Sequence, residues 1–286
     1  MAKVKRVNNL VVVSDLHCGC KLGLYPPVPV AMLEASPNSW QQSRLQKKLW
    51  SLWDEFWNEF VPWATHGEPY AIAINGDAVD GVHHKSTTPV SHNLEDQAKI
   101  ALAVLEPIRA KAAHDLFFMV RGTEAHTGPS GAQEEGLARS LCAVKDEDGL
   151  YSNFALKLEL GEQGRCLIHL AHTIGTTGSV AAETTAPMKE LADAWSEAGQ
   201  WGTRAFNVVG RSHRHRHVEA RKTCATGYGY SFVTAGWQLK TPFAFKIAGA
   251  RQRPPEIGGC IIRQGDRDYF TLHKVTPVEQ TKVVQI

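Results

Sequence analysis

Aspartates, glutamates and histidines gather in five short clusters: SDLH at residues 14–17, NGDAVD at 75–80, RGTEAH at 121–126, HLAH at 169–172 and GRSHRH at 210–215. Imidazole and carboxylate offered together suit manganese, iron or zinc, and such ions activate water and polarise bound oxygen. In Asp15-x-His17 the two donors stand two residues apart, so at an extended strand end they face one side and can hold one ion. His213-x-His215 repeats that spacing. Asp77 follows Gly76, which relieves crowding, and its two oxygens can bridge two ions, whereas Asp80 is suited to orienting a neighbouring imidazole.

Taken singly, each cluster has an ordinary structural reading. Asp15 could cap a turn, His172 could be a hydrogen-bonded core histidine, and residues 213–217 could form a solvated basic strand. Their placement argues otherwise, because each cluster follows an apolar run: LVVVS, YAIAIN, LFFMVR, CLIHLA and FNVVG. Such runs read as buried strands. Open α/β sheets bind ligands beyond the carboxyl ends of their strands, so loops at one edge can bring these distant side chains together.

The rest of the chain supplies the frame. Strands are predicted at 9–14, 70–75 and 116–121, alternating with helices at 40–64, 93–113 and 132–144. The first helix rests on Leu45, Leu49, Leu52, Trp53, Phe56, Trp57 and Phe60 recurring at three- and four-residue spacing, which makes its tryptophans core rather than base-stacking residues. A hairpin at 153–160 and 165–171, turning at 161–164, breaks the alternation; a helix at 181–198 and strands near 206–209, 217–222, 230–235, 259–263 and 269–274 follow. The expected fold class is α/β, a four-layer α/β/β/α sandwich of two mixed sheets flanked by helices. Residues 1–286 are expected to form one domain, with the motifs within 9–217 and the C-terminal strands completing the second sheet.

Composition narrows the function classes. With 43% hydrophobic and 21% charged residues and a net charge of +2, the chain lacks the overall basicity of a nucleic-acid-binding protein. Leu10–Val13 is too short for a signal-peptide core, and no apolar stretch approaches the roughly 20 residues needed to span a bilayer, so no membrane partner and a cytoplasmic location are expected. Six cysteines are too few for a disulfide scaffold, and Cys18-x-Cys20 has no second pair to complete a zinc site.

The order D-x-H, G-D-x-x-D, a modified G-N-H-D/E, a lone His and a closing H-x-H resembles the calcineurin-like metallophosphoesterase superfamily, over about residues 9–217. The resemblance implies that Asp15, His17, Asp77 and His215 hold one transition-metal ion, and that Asp77, His172 and His213 hold a second, with Asp77 bridging. It implies hydrolysis of a phosphoester, with a preference for a diester, by hydroxide between two divalent or trivalent ions about 3.5–4 Å apart.

Two departures stand out. The family's Gly-Asn-His-Asp/Glu is here Gly122-Thr123-Glu124-Ala125-His126, so either Glu124 supplies the missing oxygen or the second ion has one protein ligand fewer. Glu124 is the preferred candidate over Thr123, and His126 becomes the candidate to protonate the leaving oxygen or steady the phosphate. In the last motif Arg211 and Ser212 separate Gly210 from His213, although H-x-H survives. His172 is preferred to His169 as the lone histidine because His169 lies inside its apolar run, where it would be buried or support a ligand. His83 and His84 are candidates to line a substrate pocket. Arg204, Arg211, Arg214, Arg216, Arg221 and Lys222 gather near the last motif and make nucleic acid a candidate substrate. The alternative to an enzyme is a non-catalytic metal- or nucleic-acid-binding protein on the same fold.

Overall fold

The computed structural model describes residues 6–34, 39–161, 166–175, 179–224, 227–247, 254–266 and 268–280, so the predicted turn at 161–164 lies mostly outside the described residues. Its strands are β1 (Asn9–Val13), β2 (Val30–Ala31), β3 (Ser39–Trp40), β4 (Tyr70–Asn75), β5 (Phe117–Val120), β6 (Ser152–Asn153), β7 (Ala155–Leu160), β8 (Cys166–Ala171), β9 (Val208–Arg211), β10 (Val218–Cys224), β11 (Gly227–Val233), β12 (Glu256–Gln264) and β13 (Tyr269–Pro277). One mixed sheet runs β13-β12-β1-β4-β5-β6 and a second runs β10-β11-β9-β8-β7, with β2 and β3 forming a separate pair. The helices are α1 (Arg44–Glu55), α2 (Val61–Thr65), α3 (Leu94–Arg109), α4 (Glu124–Thr127), α5 (Ala132–Ser140), α6 (Thr185–Trp201) and α7 (Pro242–Ile247).

Strand alternation sets the layers. In β1, Leu10 and Val12 pack between the sheets with Ile168, Leu170, Val208 and Phe232, while Val11 and Val13 face Leu49, Trp53, Ile100 and Val104 of the helices. The second sheet carries α6 on its outer face. The fold is therefore an α/β sandwich of two mixed sheets flanked by helices, as the alternation of periods predicts.

Two expectations change. β10 and β11 do complete the second sheet, but β12 and β13 join the first, β12 pairing antiparallel with β1 from Asn9↔Arg263 to Val12↔Cys260. Burial explains this: β12 is buried along nearly its whole length, with Ile261 under the helices and Cys260 and Ile262 between the sheets, which suits the interior of a sheet. The predicted helix at 40–64 is α1 and α2 joined by a π-turn at Phe56–Phe60. The widened turn lets Phe56 and Trp57 both face inward, and Trp53 packs edge-on against Trp237 at 4.7 Å.

Parallel pairing of β1, β4 and β5, and of β8 and β9, puts five carboxyl-terminal strand ends along one edge. Backbone bonds join them beyond the strands: Asp15 N–H donates to Gly76 O at 2.9 Å, His17 N–H to Asp77 O at 3.0 Å and Ser212 N–H to His172 O at 2.9 Å.

Candidate metal centre

The five strand ends deliver their side chains to one buried place. Asp15, His17, Asp77 and His172 are almost completely buried, and His213 and His215 are partly so. Four groups among the described residues could each hold an ion: Asp15–His17–His215, Asp77–His172–His213, His17–Asp77–His126 and Asp80–His83–His126. The first holds three of the four residues the resemblance implies for one ion, without Asp77, and the second holds the three implied for the other. Asp77 belongs to the second and third groups, with Oδ2 at 3.0 Å from His172 Nε2 and 3.9 Å from His126 Nε2.

The donor atoms converge as ligands do. His17 Nε2 and His215 Nε2 are 3.1 Å apart, and His215 Nε2 is 3.1 Å from Asp15 Oδ1. Asp15 Oδ1 and His172 Nε2 are buried without a hydrogen-bond partner, a costly arrangement unless a cation completes it. Histidine nitrogen and carboxylate oxygen in this ratio fit manganese, iron or zinc.

The local backbone bears the same mark. Asp15, His17, Asp77, His213 and His215 all have positive φ, between 44° and 72°, where a side chain costs on the order of 1 kcal/mol per residue. Close packing leaves no slack: a Cβ on Gly122 would stand 2.0 Å from Asp77 Oδ1. Behind the ligands runs a buried chain of hydroxyls and amide that sequence reasoning missed. Asn75 Nδ2 donates to Ser212 Oγ at 2.6 Å, Thr234 Oγ1 donates to Ser212 Oγ at 2.9 Å, and Ser14 Oγ lies 2.6 Å from both Thr234 Oγ1 and Asp15 Oδ2. Its members lie at or beside strand ends, so their position after β1, β4, β9 and β11 is the signal that would find them.

Charge is tightly balanced. Burial would raise the Asp15 carboxyl, but His215 and His172 hold it well below the usual range; burial likewise opposes, and His172 outweighs, at Asp77. Burial would lower His172, yet Asp77 and Asp15 push it up to about 10.

The remaining candidates separate. Glu124, the first residue of α4, is exposed and joins none of the ligand groups among the described residues, although it lines both cavities beside the centre. The structure instead sets Thr123 against Asp77: its backbone N–H donates to Oδ1 at 2.8 Å and its hydroxyl lies 3.4 Å from both oxygens. Thr123 thus touches Asp77, whereas Glu124, the preferred candidate, joins none of the ligand groups among the described residues. Asp80 is buried, with Oδ1 3.3 Å from His17 Nδ1 in a contact lacking hydrogen-bond alignment, and 3.6 Å from His83 Nε2. His126 donates from Nδ1 to Asp80 O at 2.5 Å and packs its ring on His17 and His83. His84 is exposed and stacks on Phe243 at 4.5 Å.

His169 lies away from the centre, near Arg211 Nη2 at 3.3 Å and Phe206. Burial, Arg211 and Lys157 push it down to about 4. A histidine depressed from 6.5 in the folded state contributes stability that is present above pH 6.5 and lost as pH falls toward 4. Thermal unfolding of His169→Gln should accordingly show a shallower loss of Tm between pH 6.5 and 4.5 than the unmodified chain.

Glu134 is a further residue of the candidate site that sequence reasoning missed. Fully buried on α5, it accepts from Ala78 N–H at 2.8 Å and Gly122 N–H at 2.5 Å, tying the loop after β4 to the loop after β5. Burial and the neighbouring Asp77 push it up to about 7. Glu134→Ala leaves two buried N–H groups unpaired and should lower stability by about 2–4 kcal/mol in denaturant unfolding. It should also weaken metal binding roughly 10- to 100-fold by equilibrium dialysis, since it fixes the backbone that carries Asp77.

The basic cluster is largely committed internally. Arg211 pairs with Glu190 at 2.6 Å, Arg216 with Glu183 and Arg204 with Glu159 at 2.7 Å each; Arg214 donates to the carbonyls of Gly175 and Glu183, and Arg221 lies over Tyr228. No helix among the described residues is long and apolar enough to cross a membrane.

No protein-family model matches the chain, and no curated protein matches it in sequence. Among solved structures it is similar to Vacuolar Protein Sorting 29 from Cryptosporidium parvum, with 11% identity, 96% of this chain and 100% of that chain covered and a TM-score of 0.34. A Thermotoga maritima protein determined by solution NMR shares 11% identity over 94% of this chain and 100% of its own, with a TM-score of 0.33. The Thermus thermophilus sulfate thiohydrolase SoxB, in complex with glycerol, shares 11% identity over 97% of this chain and 58% of its own, with a TM-score of 0.38.

Proposed function

We propose that this chain is a calcineurin-like metallophosphoesterase that hydrolyses a phosphodiester with two transition-metal ions. The observation that carries the reading is the placement of one buried carboxylate, Asp77, in reach of two histidine sets at the ends of five strands. Asp15, His17, Asp77 and His215 would hold one ion, and Asp77, His172 and His213 the other. Such ions supply Lewis acidity toward phosphoryl oxygen and lower the pKa of water.

The protein's own groups do the rest. Thr123 N–H fixes the orientation of the Asp77 carboxylate. His126 is neutral near pH 7, because burial and His17 push it down to about 4, and its Nδ1–H is held by the Asp80 carbonyl. In this reading Nε2 holds no ion, and its lone pair would accept a proton from the attacking water and return it to the departing alkoxide. In that role His126 begins as a base, whereas the sequence reading starts it as an acid. The P–O bond to the alcohol breaks, and a phosphomonoester and the alcohol result.

Two cavities support a diester over a monoester. One, of about 140 Å³, is lined by Arg121, Glu124, Phe154, His172 and Thr173. The other, of about 430 Å³, is lined by His83, His84, Leu94, Glu124 and His126. His172 lines the first and His126 the second, and in this reading each would take one substituent of a diester. Protein loaded with manganese, zinc or iron should hydrolyse bis-p-nitrophenyl phosphate at least tenfold faster than p-nitrophenyl phosphate. The reverse order would favour a monoesterase, and bound metal without turnover would favour a non-catalytic binding protein.

A further inference from the structure

Arg121 and Phe154 stand beside the metal centre with no part in it. Phe154, between β6 and β7, is 73% exposed although it is a large apolar ring, and it lines the same cavity as His172. The Arg121 guanidinium lies 4.4 Å from its ring centroid. A cation over one aromatic face holds that face, and the opposite face remains available to solvent or a ligand.

Arg121 is built to stay there. Its Nε donates to Ser152 O and Oγ at 3.1 Å each, Nη1 donates to Ser130 O at 2.9 Å, and Nη2 lies 3.8 Å from Glu135. Gly131, at φ 69°, makes room for it, since a Cβ there would stand 2.8 Å from Arg121 Cδ. With its nitrogens engaged in this way, Arg121 is poorly placed to clamp a phosphate. What it does is brace a ring.

We propose that Phe154, braced by Arg121, is a stacking platform for a nucleobase carried by the phosphoester, which makes the substrate a nucleotide phosphodiester. The inference rests on the reading of this centre as a phosphoester site. Stacking suits the geometry because a planar base covers an exposed ring without needing specific donors, and such contacts are worth about 1–3 kcal/mol per base, or roughly 5- to 150-fold in affinity. The recognition is independent of the arginines near the last histidine motif, which are paired within the fold.

Calorimetry on manganese-loaded protein tests this with adenosine 5′-monophosphate and ribose 5-phosphate, which differ only in the base. The unmodified chain should bind the nucleotide about 5- to 100-fold more tightly than the sugar phosphate. Phe154→Ala should remove that difference while leaving ribose 5-phosphate affinity unchanged, and Phe154→Trp should retain it. Equal affinity for both ligands in the unmodified chain overturns the proposal. So does a preference that survives Phe154→Ala and disappears in His84→Ala, which would place the base in the other cavity. A base preference that depends on Phe154 in a protein unable to hydrolyse any diester would keep the platform and refute the phosphodiesterase reading.

Discussion

Asp77→Ala is expected to reduce hydrolysis of bis-p-nitrophenyl phosphate by on the order of 10³-fold or more at saturating manganese. Loss of a single transition-state contact in a hydrolytic site typically costs 10²–10³-fold, and Asp77 belongs to two of the clustered groups, with His17 and His126 and with His172 and His213. Asp77→Asn should fall nearly as far, because an amide keeps the shape and loses the charge that offsets two cations. His213→Ala touches only the second group and should lose less than Asp77→Ala. Equal rates in Asp77→Ala and the unmodified protein would refute a mechanism centred on this carboxylate.

The second large effect is on stability. Chelation should lower Tm by roughly 10 °C, and manganese or zinc should restore it. Five of the candidate ligand residues are held at positive φ, and the buried carboxylates Asp15 and Asp77 lie among histidines where bound cations would add attraction. Two ions at about 100 times their Kd add roughly 5 kcal/mol to the folded state, and for a chain of this size that corresponds to a shift of this order. Differential scanning fluorimetry with and without chelator measures it. A Tm insensitive to metal would mean that the cluster is a hydrogen-bonded core rather than a metal site.

Much of this centre was legible in residue order. Short apolar runs followed by D-x-H, G-D and H-x-H marked strand ends, because a buried strand has a strong local signal and a ligand must sit just beyond it. Asp15, His17, Asp77, His172, His213 and His215 converge in the structure for that reason. The loop after β5 was harder to read. Whether Thr123 or Glu124 faces Asp77 depends on where α4 begins, and a four-residue helix leaves almost no periodic signal. Glu134 was invisible for a different reason: its partners are backbone amides distant in sequence, at Ala78 and Gly122, and no spacing rule connects them. The partner of β12 was likewise undetermined, since an apolar strand announces burial but not its neighbour.

The most direct test of the shared-carboxylate centre is metal stoichiometry by equilibrium dialysis against manganese, with bound metal read by mass spectrometry. Two ions per chain are predicted for the unmodified protein, one for His213→Ala and fewer than one for Asp77→Ala. A single ion in the unmodified protein, or two ions that persist in Asp77→Ala, would contradict the account.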